Sequence, residues 1–151
     1  MLADVFTVRA MLAEKKQQKL LQVSPDTSVI IALDQMREAK VGALLVMEGE
    51  HFAGIFTERD YAWKVELETK TAARTTVAEN MTPAQEVISC TRFTTLEEAL
   101  IRMDDHHIRH LPVIEEGKVL GMISIRDVMH GITRHQIFLA QHFMESTGGR
   151  T

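Results

Sequence analysis

One cysteine, one tryptophan, one tyrosine and three prolines are spread over 151 residues. The single thiol, Cys90, excludes an internal disulfide and fits a reducing compartment. There is no basic excess: 17 Lys and Arg stand against 21 Asp and Glu, a formal net charge of −4. That argues against a general nucleic-acid binder, which carries a strong positive balance. No apolar run approaches the ~20 residues that a membrane span requires. The stretch MLADVFTVRAMLAEKK has Asp4 where a signal peptide wants basic residues, and Arg9 breaks its apolar run. A cytoplasmic chain with neither membrane nor nucleic acid as partner is therefore expected. The GxGxxG dinucleotide fingerprint and the P-loop lysine motif are also missing. What is present is ordinary for a globular chain, with 45% apolar and 25% charged residues. A chain this long buries roughly 70% of its unfolded surface and needs no staples.

The informative feature is internal repetition, a signal that decides the reading of a whole fold. At an offset of 67 residues, GALLVMEGEHFAGIFTERD (Gly42 to Asp60) falls on RHLPVIEEGKVLGMISIRD (Arg109 to Asp127). Leu44 meets Leu111, Val46 meets Val113, Gly54 meets Gly121, Arg59 meets Arg126 and Asp60 meets Asp127. Upstream, Ala32, Leu33 and Met36 meet Ala99, Leu100 and Met103. The register runs without a gap from about Leu21 to Ala62. VRAML (Val8 to Leu12) matches VAENM (Val77 to Met81) only after a gap.

Each copy reads as β-α-β-β-α. A short apolar run, LLQV to Val23 or EVISC to Cys90, reads as a strand. Val29, Ala32, Leu33 and Met36 then recur at helical spacing, as do Leu96, Ala99, Leu100 and Met103. Thr94 and Glu97 read as a capping box for the second of these helices. Two hairpins follow, turning at Glu48-Gly49-Glu50 and Glu115-Glu116-Gly117. A further helix begins at Thr57 or Ser124. The expected division is a first repeat with its N-terminal helix (1–68), a polar linker (69–76), a second repeat (77–133) and a C-terminal helix with a frayed tail (134–151). In that last helix Ile132, Ile137, Phe138, Phe143 and Met144 fall near one face. The fold class expected is α/β (α+β). A small sheet with helices on one side leaves its other face bare, so two units related by a pseudo-two-fold are expected to pack through their sheets. Ligands favour such joints.

The sharpest motif is G-I-F-T-E-R-D at Gly54 to Asp60, echoed by G-M-I-S-I-R-D at Gly121 to Asp127. Thr or Ser followed three residues later by an acid is, taken alone, a common capping box. Here it occurs twice, each time preceded by glycine and with Arg beside the Asp. A helix N-terminus attracts phosphate, and a carboxylate accepts from the vicinal hydroxyls of a ribose. Hydroxyl, guanidinium and carboxylate in one turn suit a ribose phosphate.

With both motifs in register, the hairpins and HLPV, the chain resembles a tandem pair of CBS domains, a Bateman module, from about Val5 to Thr133. GALLV…GIFTERDYAWKV and IRHLPV…GKVLGMISIRDV resemble the small stand-alone CBS-pair proteins of bacteria. The resemblance implies a non-catalytic regulatory module that binds an adenosine nucleotide, AMP first and NAD second, as an energy or redox sensor. It implies ribose contacts at Thr57, Asp60, Ser124 and Asp127, with Arg59 and Arg126 in the same turns. It implies adenine contacts around Val23 and Ala43, and around Cys90, His110 and Leu111, and phosphate contacts at Arg109 and His110. It also implies a homodimer and a downstream protein partner. Gly42-Ala43 replaces Arg109-His110 in the first copy, so the two clefts are expected to differ.

Other candidates are weaker. His106, His107 and His110 form H-H-x-x-H, a zinc-like spacing if helical, but the pattern runs from helix into strand and lacks the glutamate of a protease motif. A metal-assisted hydrolase is thus the least favoured function, behind a ligand-free oligomerisation module. No metal site, catalytic residue or catalytic cofactor is expected. Cys90 reads as a small buried side chain. Tyr61 and Trp63 read as a subunit contact, and Glu14 to Lys19 as a solvated connection.

Overall fold

The computed structural model describes residues 7–15 and 21–147. Leu20, Lys16 to Lys19 and the tail from Gly148, all used in the reading above, lie outside the described residues. Six strands and six α-helices follow one another among those described. They are α1 (Val8–Glu14), β1 (Gln22–Val23), α2 (Val29–Ala39), β2 (Ala43–Glu48), β3 (His51–Thr57), α3 (Glu58–Asp60), α4 (Val77–Asn80), β4 (Thr82–Pro83), α5 (Leu96–Asp105), β5 (His110–Glu115), β6 (Lys118–Ser124) and α6 (Ile125–Thr147). A π-helical segment, Tyr61–Glu66, continues α3.

The chain forms two compact units, which do not follow the repeat boundaries along the sequence. One comprises residues 21–88 with the hairpin tip 116–119; the other comprises 7–15, 89–115 and 120–147. The N-terminal helix, expected with the first repeat, thus belongs to the unit of the second. The segment 77–83, expected to open the second repeat, belongs to the unit of the first.

In the unit around residues 21–88 the strand order is β1-β2-β3-β4. β1 lies parallel to β2, with Val23 opposite Val46. β2 and β3 form an antiparallel hairpin with a bulge at Val46/Met47. Its turn has Gly49 at φ 62°, the backbone a two-residue hairpin needs at its first loop position. β4 pairs with β3 at Gly54–Pro83 and Ile55–Thr82. Gly54 is required there, because a Cβ would lie 2.2 Å from the Thr82 carbonyl oxygen. Val23, Val29, Ala32, Met36, Leu44, Val46, Phe56, Val65 and Val77 form the core. The expected linker is not free chain: it contains a 3-10 turn at Ala72–Arg74, and its Thr75 is buried. The Thr75 carbonyl accepts from the Val29 N–H at 2.8 Å.

In the other unit β5 and β6 form the hairpin, with Glu116 and Gly117 both at positive φ. The expected strand ending at Cys90 reduces to one parallel bridge, Cys90 to Val113. Leu96, Ala99 and Met103 of α5, Leu111 and Val113 of β5, and Ile123 and Val128 are buried. So are Val8 and Met11 of α1. The capping box of α5 is Thr95 with Glu98, not Thr94 with Glu97. Both pairs fit the pattern, but the Thr94 hydroxyl is buried and accepts from the Thr91 N–H at 3.1 Å. The helix expected to begin at Ser124 and the C-terminal helix expected from 134 are one element, and α6 runs unbroken across that boundary. Gly131 serves close packing: a Cβ would meet Leu96 at 2.7 Å and Met11 at 2.8 Å. Beyond it Ile137, Phe138, Leu139, Phe143 and Met144 are exposed.

Candidate functional site

Each repeat closes a strand-to-helix turn in the same way. In the first, Thr57 ends β3 opposite Ala43. The Gly42 carbonyl accepts from the Glu58 N–H at 3.0 Å. In the second, the Arg109 carbonyl accepts from the Ile125 N–H at 2.8 Å. The turn thus gathers Gly42, Ala43, Thr57 and Asp60 in one unit, and Arg109, His110, Ser124 and Asp127 in the other. The motif arginines are at the surface. Arg59 is exposed and stacks over Trp63 at 5.1 Å, and Arg126 is exposed. Trp63 itself is exposed, whereas Tyr61 packs partly on the core.

The two aspartates differ in what surrounds them. Thr57 and Asp60 make a reciprocal capping box: the Thr57 hydroxyl accepts from the Asp60 N–H at 3.1 Å, and Asp60 Oδ2 accepts from the Thr57 N–H at 3.0 Å. The Thr57 hydroxyl also donates to Oδ2, at 3.1 Å. Asp60 Oδ1 takes the Thr82 hydroxyl at 3.3 Å and the Lys64 ammonium at 2.8 Å. Both oxygens are engaged from within the unit, and Asp60 is only 7% exposed.

Asp127 repeats the box more loosely. Its Oδ2 accepts from the Ser124 N–H at 2.7 Å, and its own N–H donates to the Ser124 hydroxyl at 3.2 Å. The same oxygen is ion-paired to Lys15, which comes from the end of α1. Oδ1 accepts no hydrogen bond from the described residues, and the side chain is 19% exposed. This carboxylate has acceptor capacity to offer a ligand; that of Asp60 has little.

His110 stands beside this turn. Burial pushes its imidazole down to about 4; the Asp127 carboxylate opposes the shift, and Lys15 and Arg109 add to it. It is therefore a neutral group at pH 7, and Arg109 alone carries the charge expected of the Arg-His pair. Leu111 is fully buried in β5. Val23 and Cys90 are not brought to the turns. Val23 lies beside Val46, three residues along β2 from Ala43. Cys90 lies beside Val113, with its N–H and carbonyl both bonded to β5. Burial raises the Cys90 thiol to about 11, with Arg102 partly offsetting it; such a thiol is inert.

The histidine cluster does not form a ligand set. His106 caps the C-terminus of α5, His107 is left-handed at φ 53°, and His110 lies in β5. Among the described residues no group of three or more His, Cys, Asp or Glu could hold a metal ion. No helix of the described residues is long and apolar enough to cross a membrane. Sequence reasoning missed Lys15, placed in a solvated connection, and Lys64 and Thr82, the partners of Asp60. Lys64 alone carried a local signal, four residues after Asp60 on one helical face.

The two repeats are thus two small α/β domains that share this turn at homologous positions. The family model for the CBS domain matches residues 16–65 and 77–134, and the chain belongs to the CBS domain family, with two such domains in tandem. It is 36% identical to a mitochondrial CBS domain-containing protein of Arabidopsis thaliana over 115 residues, 74% of this chain and 56% of that one. A CBS domain-containing protein of Bacillus subtilis is 30% identical over 106 residues, 70% of this chain and 74% of the relative. The chain thus spans little more than half the length of the plant relative. Among solved structures, a CBS-domain protein from Burkholderia ambifaria superposes with a TM-score of 0.78 at 37% identity, covering 83% of this chain and 93% of that one. Another from Agrobacterium tumefaciens gives 0.74 at 31% identity, covering 82% and 97%.

Proposed function

We propose that this chain is a non-catalytic regulatory module that binds an adenosine nucleotide, AMP first and NAD second, at the Ser124–Asp127 turn. The observation that carries this reading is the Asp127 carboxylate, which keeps Oδ1 open at the N-terminus of the 23-residue α6, with Arg109 hydrogen-bonded through its carbonyl to the first turn of that helix. Two ribose hydroxyls can donate to such a carboxylate. The positive end of the α6 dipole and the Arg109 guanidinium supply the positive field that a phosphate needs. The neutral His110 contributes a hydrogen-bonding edge rather than a charge. In the first repeat the same turn is closed by Thr82 and Lys64, so Asp60 acts as a structural cap. Expected partners are a second copy of the chain and a downstream protein.

A thermal-shift panel of AMP, ADP, ATP, NAD, S-adenosylmethionine and GTP tests the reading. Ligand at 100 times its Kd stabilises by about 2.7 kcal/mol, which is roughly 5–10 °C for a chain of this size. Asp127→Asn should reduce the shift, while Asp60→Asn should lower the melting temperature of the free protein and leave the shift in place. A flat panel would favour the ligand-free oligomerisation module, and light scattering would then decide the state of assembly.

A further inference from the structure

We propose that Lys15 is an intramolecular latch on the Asp127 turn, which a nucleotide must displace, so that occupancy is reported by the end of helix α1. The proposal rests on the nucleotide reading and adds how binding would be communicated. In the first repeat the carboxylate is neutralised by Lys64, four residues on in its own helix. At the repeat offset that position is Gly131, where a Cβ would press on the side-chain ends of Leu96 and Met11. With α1 packed on that spot, the second repeat has no lysine there. It takes its cation from α1 itself: Lys15 pairs with Asp127 Oδ2 and donates to the Met122 carbonyl at 3.3 Å.

The remainder of α1 is anchored independently of this contact. The Val8 N–H donates to the Thr94 carbonyl at 2.8 Å and the Arg9 N–H to the Arg92 carbonyl at 3.0 Å. Val8 and Met11 are buried, and Leu12 lies against Gly121. The C-terminal end is tied by Lys15 and by the exposed Glu14–Arg134 pair at 3.5 Å. Exposed pairs of that kind hold little. A diol that takes both oxygens of the Asp127 carboxylate uses the open Oδ1 with one hydroxyl and competes with the ammonium for Oδ2 with the other. Release of the ammonium frees Ala13 to Lys15 at the end of α1, while the residues up to Leu12 stay docked.

Isothermal titration with AMP, ADP and ATP, paired with hydrogen exchange of the amides of residues 13–15, tests this in the full chain. Lys15→Gln should bind roughly three- to ten-fold tighter than wild type, having lost the competitor. Its residues 13–15 should exchange fast without ligand, as those of wild type should only with ligand. Lys15→Arg, which keeps the charge, should restore wild-type affinity. Equal or weaker binding by Lys15→Gln would overturn the latch and leave the nucleotide reading standing. Failure of both proteins to bind any of the three would overturn both.

Discussion

Asp60 and Asp127 occupy identical positions in identical turns, yet one is saturated by its own unit and the other is open on one oxygen. The difference arises from single residues. Thr82 and Lys64 close Asp60, whereas Asp127 depends on Lys15. His110 is a second residue whose surroundings decide its state. Its folded value of about 4 lies below the 6.5 of an exposed imidazole. Between these values the unfolded chain binds a proton that the folded chain refuses. The stability His110 contributes is therefore fully present above pH 6.5 and is lost as pH falls through 4. We expect a loss of about 2–3 kcal/mol across that window. A pH series of urea midpoints measures it, and His110→Gln should flatten the series. An unchanged slope in that variant would assign the loss to other groups.

At the scale of elements, α2 and α5 end alike. Lys40 and His107 adopt left-handed backbone at φ 56° and 53°. The Val41 N–H then reaches the Met36 carbonyl at 3.0 Å, and the Ile108 N–H the Met103 carbonyl at 2.9 Å. This is the Schellman termination that glycine usually supplies. A side chain there strains the backbone by roughly 1 kcal/mol. Lys40→Gly should accordingly stabilise by about 0.5–1 kcal/mol, read as a higher denaturant midpoint. Gly54→Ala should do the reverse, because its Cβ would strike backbone rather than a flexible side chain. Breaking the β3–β4 pair there should cost at least about 3 kcal/mol, or prevent folding, as judged by circular dichroism. The repeat made Gly54 visible through its pairing with Gly121, but it gave no sign of the left-handed helix ends at Lys40 and His107. It could not say that Thr95, not Thr94, caps α5, since Thr94-Glu97 and Thr95-Glu98 satisfy the same rule and only burial of Thr94 separates them.

For the molecule as a whole, the compact units are assembled from discontinuous chain. Residues 77–83 complete the sheet of the first repeat through β4. Residues 7–15 complete the second through Val8 and Met11, 0% and 6% exposed. Removing residues 1–15 should therefore destabilise the second-repeat unit by about 3–5 kcal/mol, the burial of those two side chains. Hydrogen exchange of α5 and α6 against that of α2 would show where the loss falls; a loss confined to α2 would contradict this assembly. The exposed apolar end of α6 behaves differently. Ile137→Ser and Leu139→Ser together should change the stability read from a urea series by less than about 0.5 kcal/mol, since both side chains are largely solvent-exposed.

The order of the elements, the two hairpins, the helix faces and the doubled Thr/Ser–Asp turn were determined by the sequence itself. Each depends on chemistry within a few residues: periodicity, glycine at a turn, a hydroxyl three places before a carboxylate. Only the tertiary structure decided which turn stays open, because the residues that settle it reach Asp60 from Thr82 and Asp127 from Lys15 across the chain. The same holds for the grouping of α1 with the second repeat and of β4 with the first. Local rules read the two Thr/Ser–Asp turns as equals and told the copies apart only at Gly42-Ala43 against Arg109-His110. Contacts between distant segments make one aspartate a structural cap and leave the other with an acceptor to offer.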